Sequence, residues 1–468
     1  MSNVTTTDRS RREFLKVVGA GATSLVMKSQ AVARQRDGIA ARAILVSKSG
    51  GDRGTAYVMS NKIARRQGRV VCTWIDSDRQ NRWAMVDPTT AKIVHEGTVG
   101  DVRRDNHCGA AMTTDTDGTL HLLIGAHHGT FVHYRMPPDK ASWQPVEDGG
   151  SIGHAATYPS LVCDREGTLH LTYRCEPGGR NARVHYCRRA RNGKWSEPQT
   201  LASCAVAEHS WVTNSIEVGP SGRLHVVMSN TLPVPDVGAN ARYYGASHLY
   251  SDDSGETWRQ FGKKGPLALP APGAELKRIE SDAMQPERIE AKYGGAAGPL
   301  NSYYHKILLS NVAVDENDQP WVVVHNLLKG SAQLFHHEDS TGWTGIPLDQ
   351  AVRSVLPGFH ILHCGQVSRH RDGTIEAVLM VAPESQRAWG TKGTELVRLL
   401  VGADGSVRDS ELVCPIDPDM PHWLPSIERW CWHAPVDRPM LLYTRGINAG
   451  GYQHNRNQVK TEVRLQIP

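Results

Sequence analysis

The sequence predicts an all-β fold, a seven-bladed β-propeller of four-stranded antiparallel blades, and three observations predict it. A turn-and-strand phrase recurs along the chain, its copies fall at a nearly regular period, and one hairpin carries a full set of turn-stabilising residues. The phrase is a turn with Gly or Asp followed by a strand that often holds His. It reads Gly118-Thr119-Leu120-His121-Leu122, then Gly167-Thr168-Leu169-His170-Leu171, then Gly222-Arg223-Leu224-His225-Val226. Weaker copies begin at Gly68, Asp318, Gly373 and Arg438, which makes seven. The intervals are 50, 49, 55, 96, 55 and 65 residues, and short strands recurring at about 40 to 50 residues are the mark of blades. The 96-residue interval reads as one blade with an insertion around residues 260–300, because Gly265 to Gly298 is rich in Pro, Gly and Ala and lacks strand alternation. Counting that interval as two blades would give eight, but it contains no turn-and-strand phrase.

The hairpin is Ser251-Asp252-Asp253-Ser254-Gly255-Glu256-Thr257-Trp258, which fits the Asp-box pattern S-x-D-x-G-x-T-W without a mismatch. Ser and Asp side chains cap backbone amides in such a turn, Gly takes the left-handed position, and Trp packs between blades. Degenerate copies stand at Arg191-Asn192-Gly193-Lys194-Trp195 and Ser142-Trp143. The motif is structural and carries no chemistry.

Residues 1–33 read as a twin-arginine export signal. Ser10-Arg11-Arg12-Glu13-Phe14-Leu15-Lys16 fits that consensus, a weakly apolar run follows from Val17 to Met27, and Ala31-Val32-Ala33 offers a cleavage site. So short a run cannot span a bilayer. The expected mature protein is a single domain over 34–468, periplasmic or secreted, monomeric and without a membrane anchor. Nine cysteines follow the signal. An odd count without small-scaffold spacing argues against a disulfide framework and for buried, inert thiols.

Net charge is +5 with basic residues scattered, which excludes a nucleic-acid partner and suits an anionic polysaccharide. Twelve Trp, 13 Tyr and 22 His supply rings with polar tips, as sugar clefts require, against only five Phe. In a blade, the innermost strand begins, the second ends and the third begins on one face around the channel. Asp105-Asn106-His107 precedes one inner strand, and Gly125-Ala126-His127-His128 closes the second strand of that blade. Leu171-Thr172-Tyr173-Arg174 closes the second strand of the next, Arg180 or Arg183 opens its third, and Tyr243-Tyr244 opens the third strand after that. His107, His127, Tyr173, an arginine and a tyrosine thus map to one end of three consecutive blades.

This series resembles the Asp-box (BNR-repeat) propeller polysaccharide lyases of the ulvan lyase type. The likeness is strongest from Asp101 to Trp258. It implies β-elimination next to a uronic acid, with catalytic roles for His107, His127, Tyr173 and an arginine after the tyrosine. Arg183 is chosen over Arg180, Arg188 and Arg189 because it opens its strand on the channel side; Arg188 and Arg189 belong near the opposite turn. His128 and Tyr244 are expected to bind substrate, and whether His127 or His128 faces the channel stays open. The residue types suit the reaction: a cation neutralises the carboxylate, a histidine takes the C5 proton, and a phenol protonates the leaving oxygen. No carboxylate pair of the kind glycoside hydrolysis uses is required, and no cofactor. His305, Cys364 and Cys431 lie near inner-strand starts of later blades and are the donors a structural zinc would use. A sialidase would need an Arg-Ile-Pro motif in its first blade, which Gly68 to Asp87 lacks. A non-catalytic glycan- or protein-binding propeller is the other class the sequence allows.

Overall fold

The computed structural model describes residues 42–147, 151–179, 181–204, 213–233, 242–281, 307–326, 329–386, 390–448 and 460–468. The expected export signal lies outside them. The described chain is all-β, with a single short α-helix, Asp349–Val355. No helix among the described residues is long and apolar enough to cross a membrane.

Each of the seven turn phrases joins two antiparallel, hydrogen-bonded strands. Three of the turns share one device. Asp115 Oδ1 accepts the backbone N–H groups of Asp117 and Thr119, while Oδ2 meets His121 Nε2 at 3.0 Å. Asp164 repeats this with Glu166, Thr168 and His170, and Asp315 with Asn317, Gln319 and the Trp321 indole N–H. At the sixth turn the partners exchange places: His370 Nε2 meets Glu376 Oε2 at 2.8 Å. An acid and a ring nitrogen six residues apart therefore tie each of these four strands back to its turn. The same need selects Gly118 and Gly167, whose φ values are 77° and 86°.

Five sheets have four strands, and one has nine. The sheet of Ile63–Arg66, Arg69–Ile75, Asn81–Asp87 and Lys92–Val99 is a simple meander, each strand pairing with the next. The sheets that begin at Ile307 and Phe359 follow the same plan, as does the one that begins at Asn214 except that Ala271–Pro272, ahead of its fourth strand, pairs elsewhere. In the closing sheet Arg42–Gly50 pairs with Thr461–Ile467, so the first described strand completes three from the C-terminus. The nine-stranded sheet arises because Ser151–Cys163, 13 residues long, pairs with Gly129–Met136 at its start and with Leu169–Cys175 further on.

Buried apolar residues gather into seven clusters, each between consecutive strand sets. One cluster joins Leu442 and Leu465 of the closing sheet to Val70 and Cys72 of the first. Trp258 of the Asp-box is fully buried in another and donates to Gln199 Oε1 at 2.9 Å. The Asp-box turn itself forms as its residues dictate, with Asp253 accepting from Thr257 and Ser251 Oγ accepting from Gly255 N–H. The region expected to be an insertion is in part structural. Ala271–Pro272 pairs parallel with Gln199–Ser203, and Arg278–Ser281 forms an edge strand beside Arg242–Ser251. An edge strand of four residues is too short to show alternation in a sequence. Residues 282–306 lie outside those described.

Candidate active site

Three segments without regular structure and one bulged strand build the site. Asp105, Asn106 and His107 lie just ahead of strand Ala111–Thr114, and His127 and His128 lie between Leu120–Ile124 and Gly129–Met136. Asp52, Arg53 and Tyr57 come from the segment between Arg42–Gly50 and Ile63–Arg66. Tyr158 comes from the long strand Ser151–Cys163, whose pairing slips between Thr157 and Ser160. That bulge leaves Tyr158 at a φ of 62°, a left-handed conformation that costs a bulky side chain on the order of 1–3 kcal/mol and is held only where the surroundings enforce it.

Asp105 is the hub. Its Oδ1 takes the His107 backbone N–H at 2.9 Å and His107 Nδ1 at 3.0 Å, and its Oδ2 takes His127 Nδ1 at 2.6 Å. Burial alone would raise its pKa, but the hydrogen bonds and charges of the two histidines hold this carboxyl well below the usual range. An ionised carboxylate only accepts, so both Nδ1 atoms carry hydrogen. The rings stack with centroids 4.1 Å apart. His107 Nε2 is occupied, because Arg53 donates to it at 2.6 Å. Burial, joined by the Arg53 charge and opposed by the Asp105 hydrogen bond, pushes the His107 pKa down to about 3. His127 is the more exposed of the two, at 15% of its side chain against 6%, so it is the imidazole of the pair that solvent reaches more readily.

Arg53 ties the imidazoles to a phenol. It donates to Tyr57 Oη at 2.7 Å and to Asn106 Oδ1 at 3.3 Å, and Asn106 Nδ2 donates to both Asp52 oxygens. Tyr57 is half-buried and its ring lies 4.6 Å from that of Tyr158. Burial raises the Tyr57 pKa well above that of a free phenol, so it stays protonated. Since Arg53 donates to its oxygen, the phenolic hydrogen is directed to another acceptor. Burial also pushes Asp52 up to about 6 against the Asn106 hydrogen bond. Arg174 lies over the Tyr158 ring at 4.7 Å and stands 3.5 Å from Glu176.

The structure thus brings together His107, His127 and His128, whose ring lies 4.5 Å from that of His127. His127 is the one that Asp105 orients; His128 donates its backbone N–H to Thr157 and stands 4.0 Å from Glu176. Tyr173 is not brought in. Leu169, Leu171, Tyr173 and Cys175 occupy one face of their strand, inside an apolar cluster, and Arg174 occupies the other. Tyr173 is fully buried against Phe131, and its hydroxyl meets His185 at 3.3 Å. Arg183 opens strand Arg183–Arg189 opposite Cys175, exposed, where its charge acts on Cys175 and His185. Arg174 is the arginine of this region that reaches the tyrosine cluster. Arg188 binds the Ser254 carbonyl and Glu256 at the Asp-box turn, and Arg189 sits opposite Leu169, just after the Gly167 turn. Arg180 lies outside the described residues. Tyr244 sits opposite Thr231 on strand Arg242–Ser251.

Of the zinc donors, His305 and the Cys364 side chain lie outside what is described. Cys431 turns its thiol to the Thr114 carbonyl at 3.6 Å, and burial raises its pKa to about 11. His433 meets the Asp164 carbonyl at 2.6 Å rather than joining Cys431. Sequence reasoning missed Arg53, Tyr57, Tyr158 and Arg174. The available signal was Asp105: an acid two residues before a histidine that needs orienting.

The fold and repeats place the chain in a class that the family comparison also finds. The chain belongs to the BNR repeat-containing family, whose model matches residues 55–351. Among solved structures it is similar to an ulvan lyase that represents a new family of polysaccharide lyases, at a TM-score of 0.61 and 12% identity over 90% of this chain and 95% of that one. The same figures hold for that lyase bound to a GlcA(1-4)Rha3S repeat. The polysaccharide lyase Uly1 aligns at a TM-score of 0.57 and 15% identity, covering 91% of this chain and 98% of that one. These likenesses are likenesses of fold. No curated protein matches the chain.

Proposed function

We propose that this protein is an exported polysaccharide lyase that cleaves a uronate-containing, ulvan-like polymer by β-elimination. The observation that carries the proposal is the chain of contacts from His127 through Asp105 and His107 to Arg53 and Tyr57, which sets a base, a fixed cation and a phenol side by side. The uronate carboxylate is neutralised by the guanidinium groups of Arg53 and Arg174. His127 Nε2, held by Asp105, takes the C5 proton. The electron pair forms the C4–C5 double bond, the C4–O4 bond breaks, and the Tyr57 hydroxyl gives its proton to O4. Arg53, already against the Tyr57 oxygen, stabilises the phenolate that results. His128 and Tyr244 are read as substrate-binding groups. The acid role moves from Tyr173 to Tyr57, and the neutralising role from Arg183 to the two buried arginines, because the geometry favours that assignment.

The likeness to two polysaccharide lyases over most of the chain supports this reading. The substrate is read as anionic because a GlcA(1-4)Rha3S repeat occupies one of those relatives and because the site here is rich in buried cations. The nine-stranded sheet is read as two blades joined where the long strand meets its neighbour, which gives seven blades for the seven apolar clusters. Export follows from the twin-arginine segment within residues 1–33, with the mature monomer acting in the periplasm or outside the cell. No cofactor enters any step; a zinc on His305, Cys364 and Cys431 would be a structural brace. The test is to mix purified protein with uronate polymers and follow the ultraviolet absorbance of unsaturated uronate. A glycan-binding propeller without catalysis would bind such polymers and generate none.

A further inference from the structure

Beside the Asp-box lies a second recess, built from a different part of the chain. It has a volume of about 340 Å³, and its wall comes from His248, the residues that follow the Asp-box, the edge strand at Arg278 and the hairpin after His337. The volume falls at the low end of small-ligand sites, suited to one or two sugar rings.

Its wall is aromatic. His337 and Phe261 stack with centroids 3.7 Å apart, and His248 stacks on Phe261 at 4.9 Å, the planes within 10° and 9° of parallel. Trp343 stands across these rings at 69° to His248 and 72° to His337, half-exposed at the mouth. The rim is cationic: Lys277 is exposed and donates to the Gly262 carbonyl at 2.5 Å, and Arg278 follows it, half-buried, against the single exposed carboxylate of Asp339. His248 is 2% exposed and backs this wall, its Nε2 meeting His225 Nδ1 at 3.1 Å. A half-exposed indole for a sugar's C–H surface, braced by stacked rings, and a positive rim for an acidic substituent are a set found in carbohydrate sites.

We propose that this recess is a second carbohydrate site, separate from the His107–His127 centre, that takes an anionic sugar residue. The choice of an anionic sugar rests on the reading of the main site; the existence of a second site does not. Bound polymer would then be held at two places on one chain, raising affinity for long substrates without changing the chemistry on short ones.

The experiment is calorimetric titration of the His127→Ala protein, which binds without turnover, with a short oligoglucuronate and with a neutral gluco-oligosaccharide of equal length. Two oligoglucuronates should bind per chain, falling to one when Trp343→Ala is added. Lys277→Gln, at an exposed rim position, should weaken the second event about tenfold, the effect of roughly 1.4 kcal/mol. A fall from one to none would keep this site and refute binding at the main one. Unchanged stoichiometry and affinity in both Trp343→Ala and Lys277→Gln would overturn the second site. Equal binding of the neutral oligosaccharide there would overturn its anionic specificity.

Discussion

At the scale of single residues, parity along a strand decides the assignment. Tyr173 and Arg174 are adjacent in sequence, so they face opposite sides of their strand, and only Arg174 reaches the tyrosine cluster. Tyr57→Phe keeps the ring and deletes the donor. It should lower kcat by about 10²–10⁴, the usual worth of general acid catalysis, with the fold intact. Tyr173→Phe should leave kcat within a few-fold and cost only about 1 kcal/mol for the lost His185 hydrogen bond. Steady-state rates on any polymer the wild type cleaves compare the two; a large kcat loss in Tyr173→Phe alone would restore the reading the sequence suggested. The charged groups also set a pH dependence. His107 is depressed to about 3 from 6.5, so the unfolded chain binds its proton first as pH falls. Its contribution to stability is full above pH 6.5 and is lost on the way down to about 3. Asp52 is raised from 3.8 to about 6, so its contribution is full below 3.8 and is lost as pH rises through 6. Denaturant midpoints measured from pH 7 to 4 should therefore fall less steeply in His107→Gln than in the wild type.

At the scale of elements, the recurring phrase has a cause. An acid at the start of the turn caps two amides with one oxygen and holds a ring nitrogen six residues on with the other. Asp164→Ala removes three partners at once and leaves His170, fully buried, without its acceptor. It should lower stability by about 1–3 kcal/mol in equilibrium unfolding. This device helps explain why the turns at Asp115, Asp164 and Asp315 were legible: it needs particular residues at fixed spacing. The Asp-box was legible for the same reason. The long strand Ser151–Cys163 was not, since nothing in its residues marks where it leaves Gly129–Met136 for Leu169–Cys175. Nor was the edge strand Arg278–Ser281, four residues among prolines and glycines.

At the scale of the whole molecule, the site is a meeting of distant segments. His107 and His127 were legible because each stands beside a recognisable strand. Arg53 and Tyr57 lie in an irregular segment 54 and 50 positions before His107, and only the closure of the first sheet against its neighbours brings them there. Tyr158 reaches the cluster through a bulge, which reverses the facing that simple alternation would give it. One measurement tests the central claim most directly. Wild-type protein, His127→Ala and Tyr57→Phe are each mixed with a panel of uronate polysaccharides, and the ultraviolet absorbance of unsaturated uronate is followed. The account predicts a steady rise on at least one polymer with the wild type and a rate lower by about 10² or more in each variant. No unsaturated product from any uronate polymer, or full activity in His127→Ala, would contradict it.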